Sequence, residues 1–132
     1  MSEAEVVRGE GVASPTVLVV EDDFLIRAAV VAELRSAGHI VLEAGDTEEA
    51  LELLAKHPAI ELLLTDIAMP GRRDGNYLIR VARGNYPRLI VVAATANSPY
   101  GALDGVLRKP YAPPEAVALV SKLIGERRAK RS

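Results

Sequence analysis

TVLVVEDDFLIRAAVVAELRSAG, residues 16–38, changes its period part-way through. Thr16–Val20 is apolar at every position after the first and rich in β-branched residues, the pattern of a strand buried on both faces. Three acidic residues follow, Glu21-Asp22-Asp23. From Phe24 the spacing becomes helical, and Gly38 supplies the stop. A fully buried strand that runs directly into a helix is the opening of a βαβ unit, and such a unit needs a parallel neighbour beside it.

The alternation recurs along the chain. HIVLEA (39–44) predicts a second strand. DTEEALELLAKH (46–57) predicts a helix, opened by Asp46 and Glu49 in capping-box spacing and stopped by Pro58. IELLLT (60–65) predicts a third strand, GNYLIRVARGN (75–85) a helix, RLIVVAA (88–94) a fourth strand and GVLRK (105–109) a fifth. PPEAVALVSKLIGE (113–126) predicts the last helix, with proline in its first turn. The sum is an α/β fold, a doubly wound five-stranded parallel sheet covered on both faces. Residues 16–126 form the domain, 1–15 a flexible polar head, and 127–132 a basic tail.

Composition narrows the function. The chain has 132 residues, 49% hydrophobic and 26% charged, with a formal net charge of −2. That balance gives no general attraction to nucleic acid or to an anionic membrane. There is no cysteine, which excludes disulfides and thiolate metal sites. His39 and His57 are far apart and read as surface or helix-end residues rather than ligands. No apolar stretch spans a bilayer, and no signal-peptide core opens the chain, so a cytoplasmic location is expected.

Ligands of doubly wound sheets sit at the carboxyl ends of the strands. The side chains there are Glu21, Asp22 and Asp23 after the first strand, Asp66 after the third, Thr95 after the fourth and Lys109 after the fifth. Taken singly, the acidic triplet is a helix cap, Asp66 and Thr95 are turn residues and Lys109 is a surface charge. Together they say more. Carboxylates in one crevice raise one another's pKa unless a cation joins them, and a hard divalent ion such as Mg²⁺ accepts carboxylate, carbonyl and water. A lysine and a hydroxyl facing them suit a phosphoryl group, toward which a carboxylate can act as nucleophile.

VLVVEDD (17–23), LLLTDIAMPG (62–71) with Asp74-Gly75, AATA (93–96) and KPY (109–111) resemble the receiver domain of two-component response regulators over residues 16–126. The resemblance implies strand order 2-1-3-4-5 and phosphorylation of Asp66 by a histidine kinase or a histidine phosphotransferase. It implies Mg²⁺ held by Asp22, Asp66 and the backbone carbonyl of Ala68, with Glu21 reaching it through water. It makes Thr95 the hydroxyl that closes on the phosphoryl group, and Lys109 the partner of the acceptor, joined to Pro110 by a cis bond. Such a domain is not an enzyme in the ordinary sense, although it catalyses its own phosphorylation and dephosphorylation.

The departures matter for output. Only 14 positions separate Thr95 from Lys109, too few for the helix the family places between its fourth and fifth strands. That fourth helix is expected to be missing or very short, leaving a loop over 96–104 that activation would reorder. Val106 stands three before Lys109, where many receivers carry a switching aromatic, and the nearby Tyr100 and Tyr111 have no assigned part. Arg72-Arg73 reads as a solvated turn or as a contact to an acidic partner. The first helix is apolar round most of its circumference, which suits either deep packing or a surface for a kinase, a phosphotransferase or a second copy in a homodimer. The expected output is altered protein–protein binding, from a receiver that is either stand-alone or cut from a longer chain. The alternative is a phosphorylation-independent interaction domain of receiver shape. A haloacid-dehalogenase type phosphatase is disfavoured, since its nucleophile follows the first strand.

Overall fold

The computed structural model describes residues 14–97 and 101–131. Five strands, β1 (Thr16–Val20), β2 (Ile40–Ala44), β3 (Ile60–Asp66), β4 (Ile90–Thr95) and β5 (Gly105–Arg108), form one parallel sheet in the order β2-β1-β3-β4-β5. The helices are α1 (Phe24–Ser36), α2 (Thr47–Lys56), α3 (Gly75–Asn85) and α4 (Pro113–Arg131). The expected order is the observed one.

Alternate residues of each strand feed two cores, as the period-two geometry of a strand requires. Val17, Val19, Leu62, Leu64, Val92 and Leu107 pack beneath α1 and α4, against Val30, Leu34, Val120 and Ile124. Leu18, Val20, Leu63, Val91 and Ala93 face α2 and α3, against Ala50, Leu54, Leu78 and Ala82.

Each of the first three helices starts on an aspartate that accepts a backbone N–H three residues on: Asp23 from Ile26 at 3.1 Å, Asp46 from Glu49 at 2.8 Å and Asp74 from Tyr77 at 3.1 Å. These caps satisfy donors that the helix itself leaves open. Glu49 answers with a bond from the Gly45 N–H, one residue before the cap, at 2.8 Å.

Among the described residues between β4 and β5 there is no helix; residues 98–100 of that segment, which include Tyr100, lie outside the description. Arg83 of α3 holds the end of the segment, next to β5. Its guanidinium donates to Ala102 O and Leu89 O, each at 2.9 Å, and pairs with Asp104 Oδ2 at 2.7 Å. Asp104 Oδ2 also accepts the Val91 N–H at 2.8 Å, so the loop is tied to the sheet just before β5.

Two sequence expectations are corrected. The last helix does not stop at Glu126 but runs to Arg131, because its basic residues find acceptors at the amino-terminal edge of the sheet. Arg127 donates to Arg88 O, and Arg128 pairs with Glu61 Oε2 at 2.7 Å. His39 is buried rather than superficial: Nε2 lies 3.1 Å from Ser121 Oγ, and burial, with Arg128 adding to it, lowers its pKa. Of the two readings of α1, its first turn is surface, with Phe24 64% and Leu25 76% exposed, while Val30, Val31 and Leu34 are deeply packed. Of the 1–15 head, residues 1–13 lie outside the description, while Pro15 accepts the Ile40 N–H at 2.7 Å.

Candidate functional site

The carboxyl ends of β1, β3, β4 and β5 converge on one cleft. Asp66 is the last residue of β3, paired in register with Ala94 of β4. Its carboxylate is not exposed, as its place at a strand end suggests, but only 4% accessible, on the floor of a hollow of about 340 Å³. Asp66 Oδ1 accepts Lys109 Nζ at 2.8 Å and the Ala68 N–H at 3.2 Å. Oδ2 accepts from no described residue, so its lone pairs remain for other chemistry.

Local structure dictates this placement. The Lys109 N–H donates to Thr95 O at 3.0 Å, and the Lys109–Pro110 bond is cis. Gly75 lets α3 press directly on the end of β3, where a Cβ would stand 2.2 Å from Asp66 O. The loop between them is tied to α2 by Thr47 Oγ1, which donates to Arg73 O at 2.6 Å. The Arg73 guanidinium makes two bonds to Glu48, at 2.6 and 2.8 Å, and stacks over Tyr77. Arg73 is therefore already paired with Glu48.

Glu21, Asp22 and Asp66 each bring a carboxylate oxygen within 4.8 Å of the others. Glu21 is buried, and that burial first, with Asp66 adding charge repulsion, pushes its pKa up to about 7. Lys109 opposes the shift without cancelling it. A hard dication fits this donor set, since it replaces the lost water and neutralises the crowded charges. Glu21, Asp22 and Asp66 would hold it, and Ala68 lines the same cleft.

The raised Glu21 pKa has a measurable consequence. Below about pH 7 a proton on Glu21 competes with the cation for the cluster. Mg²⁺ affinity is expected to rise with pH, approaching about tenfold per unit below that pKa and levelling off above it. Calorimetric titration between pH 6 and 8 checks this; a flat profile contradicts the shared site.

Thr95 is buried at 5% exposure, and its Oγ1 accepts the Asn97 N–H at 3.0 Å, which leaves the hydroxyl proton to donate. Sequence reasoning missed Asn76 and Asn97, which line the cleft with Asp66, Thr95 and Lys109. The available signal was a polar side chain just after Asp74-Gly75 and another two past Thr95. Tyr111 was left without a part; it is half-buried, and burial, reinforced by Glu21 and Asp66, pushes its pKa up to about 12. It lines an apolar hollow with Ile26 and Pro110 beside the cleft. Val106 is 37% exposed and does not enter the site.

The profile of the response regulator receiver domain matches residues 17–121. The chain belongs to the response regulator receiver domain family. It is 41% identical over 88 residues to the response regulator protein FleR of Pseudomonas aeruginosa, covering 67% of this chain and 18% of that protein. It is 32% identical over 120 residues to the sensor kinase CckA of Brucella abortus, covering 84% of this chain and 13% of that protein. The crystal structure of the receiver domain from the hybrid histidine kinase CckA superposes with a TM-score of 0.72 at 33% identity, covering 82% of this chain and 97% of that one. The chain thus spans less than a fifth of the length of these two curated relatives. The receiver is of the two-component type, with a flavodoxin-like fold, and among the described residues no helix is long and apolar enough to cross a membrane.

Proposed function

We propose that this receiver accepts a phosphoryl group on Asp66 from a phosphohistidine of a histidine kinase or histidine phosphotransferase. One observation carries the reading: a buried carboxylate held by Lys109 at 2.8 Å, with Glu21 and Asp22 within 4.8 Å, on the floor of a cleft that also holds Thr95. Asp66 Oδ2 forms the new P–O bond while the donor P–N bond breaks, and the electron pair of that bond leaves with the imidazole nitrogen. A bound Mg²⁺ supplies charge neutralisation for the carboxylates and the phosphoryl oxygens. Lys109 is placed to follow the negative charge from Oδ1 to a phosphoryl oxygen, and Thr95 to donate its hydroxyl proton to another.

The donor needs a surface beside the cleft. Phe24, Leu25 and Ile26 stand exposed on the first turn of α1, next to the hollow lined by Pro110 and Tyr111. Lone exposed apolar residues are ordinary, but three in succession beside a reactive site favour docking. The signal leaves through a change in binding. Among the described residues of the connection to β5, Ala96 and Asn97 follow Thr95 directly and Ala102 and Asp104 are held by Arg83, so these ends reorder at modest cost.

The test is Mg²⁺-dependent phosphorylation of the intact chain by acetyl phosphate. One phosphoryl group per chain, mapped to Asp66, is the expected result. No uptake at saturating donor and Mg²⁺ leaves the chain as a phosphorylation-independent interaction domain.

A further inference from the structure

The peptide frame of Glu21 is fixed on both sides. Its N–H donates to Ala44 O at 3.1 Å, and its carbonyl accepts Arg27 Nη1 at 2.6 Å. The same guanidinium reaches β2, where Arg27 Nε donates to Glu43 Oε1 at 3.2 Å. The Arg27 side chain is only 17% exposed, while its Glu43 partner is more open at 35%. On the far side, the Asp23 N–H donates to Glu21 Oε2 at 3.0 Å, and the Arg27 N–H closes the first turn of α1 on Asp23 O at 3.0 Å.

Asp22 hangs between these ties. The Glu21 carbonyl and the Asp22 N–H belong to one rigid peptide plane. Fixing the carbonyl therefore fixes the plane from which the Asp22 side chain departs, and Asp22 itself is exposed beside the Glu21 carboxylate, its side-chain neighbour. We infer that Arg27 is a positioning residue for the divalent-cation site: through Glu21 O it sets where the Glu21 and Asp22 carboxylates stand. The inference rests on the cation site of the proposed function and adds a residue outside the four motifs.

The two physical effects of Arg27 have opposite signs, which makes the inference decidable. As a nearby positive charge, Arg27 repels a dication, so its removal on charge grounds alone would tighten Mg²⁺ binding. As a support for the ligands, its removal loosens them, and outer supports of metal sites typically contribute about 10–100-fold in affinity. The low exposure of the Arg27 side chain and its double anchoring favour the second effect.

The experiment measures Mg²⁺ affinity by calorimetry, with melting temperature, on the full chain. Arg27→Met keeps the aliphatic stem and removes both bonds. Its expected result is a roughly tenfold loss of Mg²⁺ affinity, with maximal acetyl phosphate labelling restored at saturating Mg²⁺. Arg35→Met is the control, because Arg35 also reaches Glu43, at 3.8 Å, but does not touch Glu21. Its Mg²⁺ affinity is expected to stay within about twofold of the parent, against the tenfold loss a ligand support carries. If Arg27→Met fails to fold, Arg27→Lys takes its place; the ammonium lacks the planar fork whose Nε and Nη1 serve Glu43 and Glu21 O at once, so weakened binding at unchanged charge is expected. Unchanged or tighter binding in the Arg27 variant, or an equal loss in Arg35→Met, overturns the inference. A parent protein that binds no Mg²⁺ overturns the cation site and this inference with it.

Discussion

Asp66→Asn abolishes phosphoryl uptake from acetyl phosphate while leaving the fold in place. The amide has nearly the same shape, so the cleft keeps its form, but it offers no anionic oxygen to attack phosphorus. Lys109 loses its charged partner at 2.8 Å and, being 27% exposed, turns to water. Glu21 gains from the change, since the negative charge of Asp66 is one of the causes that push its pKa up to about 7. In the variant that pKa falls, and the two effects on stability oppose each other. Labelling is expected to fall to background, with the melting temperature shifted by only a few degrees, as for a change of about 1 kcal/mol. Labelling that persists in Asp66→Asn assigns the acceptor elsewhere and contradicts the account.

Gly75→Ala is the largest structural effect expected. A Cβ there meets Asp66 O at 2.2 Å and Ile67 Cα at 2.5 Å. Both neighbours are backbone, in a strand end paired to β4, and cannot step aside as a flexible side chain would. The start of α3 must lift, which strains the Asp74 cap and shifts Leu78, Ile79 and Ala82 in the core. A loss of about 3 kcal/mol or more is expected, a fall of roughly 10 °C or more in melting temperature. Gly84→Ala is the comparison, because nothing lies within 4 Å of its Cβ. That change, in the last turn of the same helix, is expected to be neutral or stabilising by up to about 1 kcal/mol. Similar melting temperatures for the two variants contradict the close approach of α3 to Asp66.

The central strands β1, β3 and β4 were legible because they are apolar nearly throughout, and the helices because aspartate or proline opens them and glycine or proline follows most of them. Strand order came from the resemblance, since periodicity alone does not say which neighbour a buried strand takes. Asp66, Thr95 and Lys109 could be placed at one edge because all three stand where an apolar run ends. What the sequence hid depends on contacts between distant segments. The length of α4 is set by Arg127 and Arg128 finding Arg88 O and Glu61 across the sheet edge. The burial of Asp66 goes with Lys109 reaching it from β5's end and with α3 pressing on the strand end at Gly75, neither of which a local pattern reveals. Arg27 carried no signal in the sequence, and only the fold brings it to Glu21 O.

The most direct test of the central claim is a titration with beryllofluoride, which stands in for the phosphoryl group on an aspartate, followed by backbone amide NMR with and without Mg²⁺. The account expects saturable shifts at Ala68, Thr95, Asn97 and Lys109 that require Mg²⁺ and vanish in Asp66→Asn. Smaller shifts should extend into 101–104, while Val30–Leu34 of α1 stays unchanged. No saturable shift at Thr95 and Lys109 in millimolar Mg²⁺, or the same shifts in Asp66→Asn, contradicts a phosphoryl acceptor at Asp66.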